Sequence, residues 1–164
     1  MFKKAKDITE VSLVACLYAV ITVAFSSISY LPTQFRMGEL VKPISTFRKK
    51  FAVSMMIGNF LSNLFSPFAG PMELIFMPVS NLIGCLLGYY VGRYTNKFVG
   101  SIFIGIYISA SVALTLKVAA NFPFFQTFVS VLIAETILMA IGYFIVLTIF
   151  EHSRKVAEQH RHND

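Results

Sequence analysis

The chain reads as an all-α membrane protein, a six-helix transmembrane bundle with a short second helix and both termini on the cytoplasmic side. Three observations carry that reading. Hydrophobic residues make up 56% of the 164 residues and charged residues only 13%, with a mean hydropathy of +0.70, whereas a soluble domain carries about 25% charge. Apolar runs of crossing length recur along the chain. The basic residues collect between alternate runs.

A helix that crosses the hydrocarbon core needs about 20 apolar residues, within a range of about 17 to 25. The first run extends from Ile8 to Leu31 and is stopped by Pro32. Basic residues precede it, but no small-residue cleavage site stands out, so it reads as a spanning helix and not as a leader. The second run, Leu40 to Phe47, is too short to cross alone. The third, Phe51 to Phe65, is also short. The fourth, fifth and sixth run from Met72 to Tyr94, Val99 to Ala120 and Phe124 to Phe150. Residues 1–150 then form one substrate-binding membrane domain, and residues 151–164 a polar cytoplasmic tail.

Cytoplasmic loops carry the excess of Lys and Arg. With the N-terminus inside, eleven of the fourteen basic residues fall on that side, among them Lys6, Arg48, Lys49, Lys50, Arg93, Lys97 and Arg154. The outer loops hold only Arg36. Three outer loops remain: Pro32 to Gly38, Ser66 to Pro71, and Asn121 to Pro123. Gln34, Arg36 and Glu39 flank the first, Asn59, Asn63 and Glu73 the second, and Lys117, Asn121 and Gln126 the third. Polar groups gathered at three neighbouring loops describe an outward-facing binding cup in the cell membrane.

Several classes fall away. The net charge of +6 is spread over short loops and tails, which is not a nucleic-acid surface. Cys16 and Cys85 lie inside apolar runs and read as buried small residues, not a disulfide or a metal pair. His152, His160 and His162 sit in the polar tail. There is no nucleotide-binding loop, HExxH, GxSxG or CxxC pattern, so neither a cofactor nor a metal is expected. An ATP-driven role would need an ATPase from another chain. Trp is absent, which leaves Tyr30, Tyr89, Tyr90 and Tyr94 as interfacial anchors.

Charged and amide groups inside apolar helices are the functional candidates, because each is expensive to hold there. Glu135 lies halfway along the sixth run, with a ligand contact or an ion pair to Lys117 as its two roles. Asn59 and Asn63 are four apart and share a helix face, for ligand binding or for interhelical amide bonds. Lys117 could snorkel to the interface, pair with Glu135 or Glu73, or meet substrate. Glu73 opens the fourth run, where an acid favours the helix dipole, and Ser80 and Asn81 extend its polar stripe. Gly84, Gly88 and Gly92 make two GxxxG steps that read as internal packing. Ser12, Ala15, Cys16 and Ala19 form a small-residue face on the first run, for internal packing or for a partner.

Four blocks, QFRMGEL (Gln34 to Leu40), GNFLSNL (Gly58 to Leu64), ELIFMPVSN (Glu73 to Asn81) and AETILMAIG (Ala134 to Gly142), resemble the queuosine-precursor transporter family. These are substrate-binding (S) components of energy-coupling-factor (ECF) transporters. The resemblance covers roughly Ala15 to Leu147 and rests mainly on a Gln-x-Arg-x-x-Glu pattern, matched by Gln34, Arg36 and Glu39. Asn63 and Glu135 also fit. Where the family has Asp-Val-Ile-Phe-Gly-Ser, this chain has Glu-Leu-Ile-Phe-Met-Pro, so Glu73 keeps the acid while Met77 and Pro78 reshape the wall.

The resemblance implies a 7-deazaguanine ligand: queuine, queuosine, or an aminomethyl or cyano precursor. A guanine-like edge offers N–H donors to a carboxylate and an acceptor to Arg or an amide. Glu39 or Glu135 would take the donors, and Gln34, Arg36 and Asn63 the acceptors. Phe35, Phe68, Phe122 or Phe125 would stack. Glu73 would suit a cationic group, and Lys117 a ribose or cyclopentenediol. The resemblance also implies a transmembrane coupling protein and two ATPase subunits as partners, the coupling protein docking at an Ala-x-x-x-Ala face that Ala15 and Ala19 form in this chain. The alternatives are an S component for another vitamin-like compound, a small membrane enzyme using Glu135 and Lys117, and a channel, which the crowding of polar groups at one end argues against.

Overall fold

The computed structural model describes residues 5–29, 35–67 and 69–163. Among these, the regular structure is entirely helical, with seven α-helices: α1 (Ala5–Ala24), α2 (Ser26–Ser29), α3 (Ile44–Phe47), α4 (Phe51–Asn63), α5 (Met77–Tyr94), α6 (Lys97–Ala120) and α7 (Phe124–Asn163). Among the described residues four stretches are long and apolar enough to cross a membrane: Ala5–Ala24, Met72–Tyr94, Lys97–Ala120 and Phe124–Val156.

The second expected helix is two pieces. A 3-10 turn, Met37–Val41, precedes α3, and Lys42 and Pro43 separate them. Pro43 has no N–H to give an upstream carbonyl, so the helix breaks there. The fourth helix also starts irregularly. Met72–Phe76 is a wide, π-helical turn before α5. Pro78, the second residue of α5, cannot donate to the carbonyl four residues back and crowds it, which opens the turn upstream. α6 is better capped. Asn96 accepts the Val99 N–H at 2.9 Å, and Asn121 closes the helix at φ 55°, a left-handed position that Asn tolerates. α7 continues as a helix past Phe150, through the polar tail.

α1, α4, α5, α6 and α7 pack in that order, each against the next. The 3-10 turn closes the ring between α7 and α1, and α3 packs on α5 and α6. Small residues permit these approaches. A β-carbon on Gly58 would lie 2.8 Å from the Ala15 carbonyl of α1. Gly84 and Gly88 of α5 meet Tyr107 and Ile104 of α6, so the GxxxG steps are internal packing. Gly142 of α7 sits against the backbone of Leu40, which fixes the 3-10 turn inside the bundle.

The polarity of the molecule is inverted relative to a soluble protein. Leu13, Ile75, Val118 and Phe125 are exposed, whereas Arg36, Glu39, Lys42, Glu73 and Glu135 are each no more than 3% exposed. Apolar side chains outside and ionisable ones inside suit hydrocarbon as the solvent. At the basic end, Lys50 is clamped by Asp7 at 2.5 Å and Glu10 at 2.6 Å. Those hydrogen bonds, Asp7's first, hold its ammonium pKa above the usual value. They also tie α1 to the start of α4.

Candidate functional site

The buried polar groups form one connected chain across four elements. Arg36, just before the 3-10 turn, donates through Nη1 to Asn63 Oδ1 at 2.7 Å and pairs through Nη2 with Glu73 Oε1 at 3.2 Å. Asn63 Nδ2 donates to the Glu73 carbonyl at 2.7 Å and to Asn59 Oδ1 at 3.2 Å. Asn59 Nδ2 reaches the Tyr18 hydroxyl at 3.5 Å. Tyr18 donates to Glu39 Oε1 at 2.6 Å, and Glu39 Oε2 is paired with Lys42. The chain therefore runs from the π turn through α4 and α1 to the 3-10 turn.

Local geometry explains each placement. Asn59 and Asn63 are one α-helical turn apart on one face of α4. Glu39 lies in the 3-10 turn and Lys42, three residues on, caps its end, donating its N–H to the Glu39 carbonyl at 3.0 Å, a spacing at which side chains eclipse. Tyr18 continues the buried stripe of α1 made by Val11, Ala15 and Thr22. Buried ions need both a partner and further hydrogen bonds, and Asn63 of α4 supplies one to Arg36 while fixing the Glu73 main chain.

Charge is not balanced in the interior. Around the buried chain two basic side chains, Arg36 and Lys42, face three acidic ones, Glu39, Glu73 and Glu135, while Lys50, also buried, pairs with Asp7 and Glu10 at the basic end. Residues 30–34 and 68 contribute no acid and no base. Arg36 pairs with Glu73 and Lys42 with Glu39. Glu135, on α7 beside Gly105 of α6, is within electrostatic reach of Glu39, Lys42 and Arg36 but makes no ion pair among the described residues. Its Oε2 lacks a hydrogen-bond partner there, as do Glu73 Oε2, Asn81 Oδ1 and Thr115 Oγ1. A buried carboxylate oxygen left open costs roughly 1–3 kcal/mol or more, so these atoms suit a donor-rich guest.

The structure brings Arg36, Glu39, Asn63 and Glu73 together and sets Glu135 behind them. Gln34 and Phe68 lie outside the described residues. Lys117 does not join the site. It is exposed on α6 and pairs with neither Glu135 nor Glu73 among the described residues, because its long stem carries the ammonium out of the bundle. Phe125 is also turned outward, at 79% exposed. Phe122 packs against the core.

Ala15 is buried beneath α4, since Gly58 packs directly on it, so a partner could not reach its side chain. Ala19 and Cys16 instead line an open apolar groove of about 640 Å³ with Leu61, Leu64 and Phe65 of the α4 end. Cys16 is thus exposed, not buried. Among the described residues no cluster of His, Cys, Asp or Glu could hold a metal.

Tyr18 and Lys42 were not among the sequence candidates. Lys42 had a signal: it falls three residues after Glu39 in an apolar stretch. Tyr18 had a weaker one, its place on the α1 stripe.

The sequence model of the family described as "QueT transporter" matches residues 8–151. A "Queuosine precursor transporter QueT" of Lactococcus lactis subsp. cremoris (strain MG1363) is 33% identical over 157 residues, spanning 88% of this chain and 93% of that protein. The chain belongs to the QueT transporter family. No solved structure matches it. QueT proteins are transporters, so the enzymatic alternative built on Glu135 and Lys117 does not hold. In this QueT chain those two residues also lie apart, one buried and one exposed.

Proposed function

We propose that this protein is the substrate-binding S component of an ATP-driven importer of the energy-coupling-factor type, and that it takes up a 7-deazaguanine precursor or salvage form of queuosine. The observation that carries the reading is the buried chain Glu73–Arg36–Asn63–Asn59–Tyr18–Glu39–Lys42 in a membrane bundle of the QueT family. The name of the Lactococcus relative supports the ligand class.

In this reading the bundle is a six-helix domain with both termini in the cytoplasm, and Arg36, Asn63 and Glu73 face the outer mouth. Glu39 is already engaged by Tyr18 and Lys42, which leaves the open oxygens of Glu135 and Glu73 to receive the N–H donors of the base or an aminomethyl group. Arg36 and Gln34 hold the acceptor edge, and Asn63, whose two N–H groups go to the Glu73 carbonyl and Asn59, holds Arg36 in place. The coupling protein, which two ATPase subunits drive, docks on the α1–α4 groove at Ala19. Titrating the purified protein with queuine, queuosine, the aminomethyl and cyano precursors, and guanine tests this. Tight binding of one deazaguanine and rejection of guanine is the expected result. Binding of guanine alone, or of none of the five, would overturn the ligand assignment.

A further inference from the structure

Away from the buried chain, the end of the bundle that carries the basic residues holds a second pocket. It is a cavity of about 510 Å³ between α3, the start of α6 and the far part of α7. Arg48, Lys97 and Arg154 line it, with Glu151 as the only acid of the lining. Its floor is aromatic. Phe47 stacks on Phe150 at 4.7 Å between ring centroids. The Phe47 ring also lies 6.0 Å from Tyr143, which meets Phe98 at 5.3 Å.

The three cations are not equally satisfied. Arg48 reaches Glu10 at 3.5 Å, and Arg154 reaches Glu158 at 3.0 Å. Lys97 has no carboxylate within ion-pair distance among the described residues, and its ammonium sits 4.3 Å over the Phe47 ring. It is also the first residue of α6, the end of a helix where a cation is disfavoured and an anion is held. An anion in the pocket would answer both the lysine and the helix end.

We propose that this pocket is a binding site for the phosphate of an anionic phospholipid, with its acyl chains lying along the aromatic floor. Two features select a lipid over a free phosphate. The cations share the lining with Leu147, Phe47 and Phe150, an apolar surface on which acyl chains can lie, and Tyr143, 6.0 Å from Phe47, is of the residue type that marks the membrane–water boundary. Basic pockets between membrane helices are suited to anionic headgroups, at about a five-fold gain in affinity for each Lys or Arg near the surface. The site is independent of the importer reading, since none of its residues belongs to the buried chain.

The test uses delipidated full-length protein in detergent. It is titrated with dioctanoyl phosphatidylglycerol, dioctanoyl phosphatidylcholine or inorganic phosphate, and bound species are counted by native mass spectrometry. Phosphatidylglycerol should be retained in preference to phosphatidylcholine. Lys97→Gln and Arg48→Gln should each lower its retention by about five-fold. Lys49→Gln, which removes an exposed lysine outside the pocket, should lower it by less than two-fold. Equal retention of both lipids, or equal losses in Lys49→Gln and Lys97→Gln, would overturn the proposal. Displacement of the lipid by an equal concentration of inorganic phosphate would overturn the lipid as the source of the anion.

Discussion

Replacing Glu135 with Gln separates two roles that a buried acid can have. The change keeps shape and swaps the carboxyl of a fully buried side chain for an amide. Glu135 makes no ion pair among the described residues, so its neutralisation strands no cation, and thermal stability should be unchanged or higher. Binding should fall. A hydrogen bond to a charged group contributes about 1.5–3 kcal/mol, which is roughly ten- to 150-fold in Kd. Glu73→Gln is the internal contrast, because it removes the carboxylate that pairs with Arg36 at 3.2 Å. Breaking a buried pair from one side costs about 3–5 kcal/mol of stability. Calorimetric titration with the best-binding deazaguanine, alongside thermal melts in the same detergent, reads both quantities. An unchanged Kd for Glu135→Gln would refute the ligand role of its open oxygen. An equal loss of stability in the two variants would refute the charge inventory.

Other substitutions follow from the same geometry. Tyr18→Phe removes the donor to Glu39 and should lower stability by about 1.5–3 kcal/mol, read by chemical or thermal unfolding. Ala19→Trp should fill the α1–α4 groove and abolish uptake in cells while leaving Kd within two-fold. Ala15→Trp, buried against Gly58, should prevent folding and so lose both activities. Lys117→Ala should change neither Kd nor uptake by more than about two-fold, since exposed substitutions away from special features stay within about 0.5 kcal/mol.

The helices were legible because hydrocarbon demands long apolar runs and intramembrane charge is rare enough to stand out. Arg36, Glu39, Asn63, Glu73 and Glu135, all buried in the bundle, stood out as polar groups in apolar surroundings. What the sequence concealed was backbone irregularity and pairing. Pro43 and Pro78 are visible as residues, but whether a proline kinks, widens or splits a helix depends on what packs around it. Lys117 looked like a partner for Glu135, yet its ammonium lies outside the bundle. Lys42, the lysine that is inside, hides in a short run that periodicity could not orient. The small-residue face of α1 is plain in its spacing, but Ala15 is covered by α4 whereas Ala19, one turn on, borders the groove. That division follows from which of them meets Gly58, a contact no local pattern encodes.

The most direct measurement is mass spectrometry of small molecules released from the purified, unsupplemented protein, followed by titration with queuine, queuosine and guanine. The account predicts a bound 7-deazaguanine, recovered from wild type and lost from Glu135→Gln, with guanine rejected. Release of an unrelated vitamin-like compound, with no binding of any deazaguanine, would contradict it.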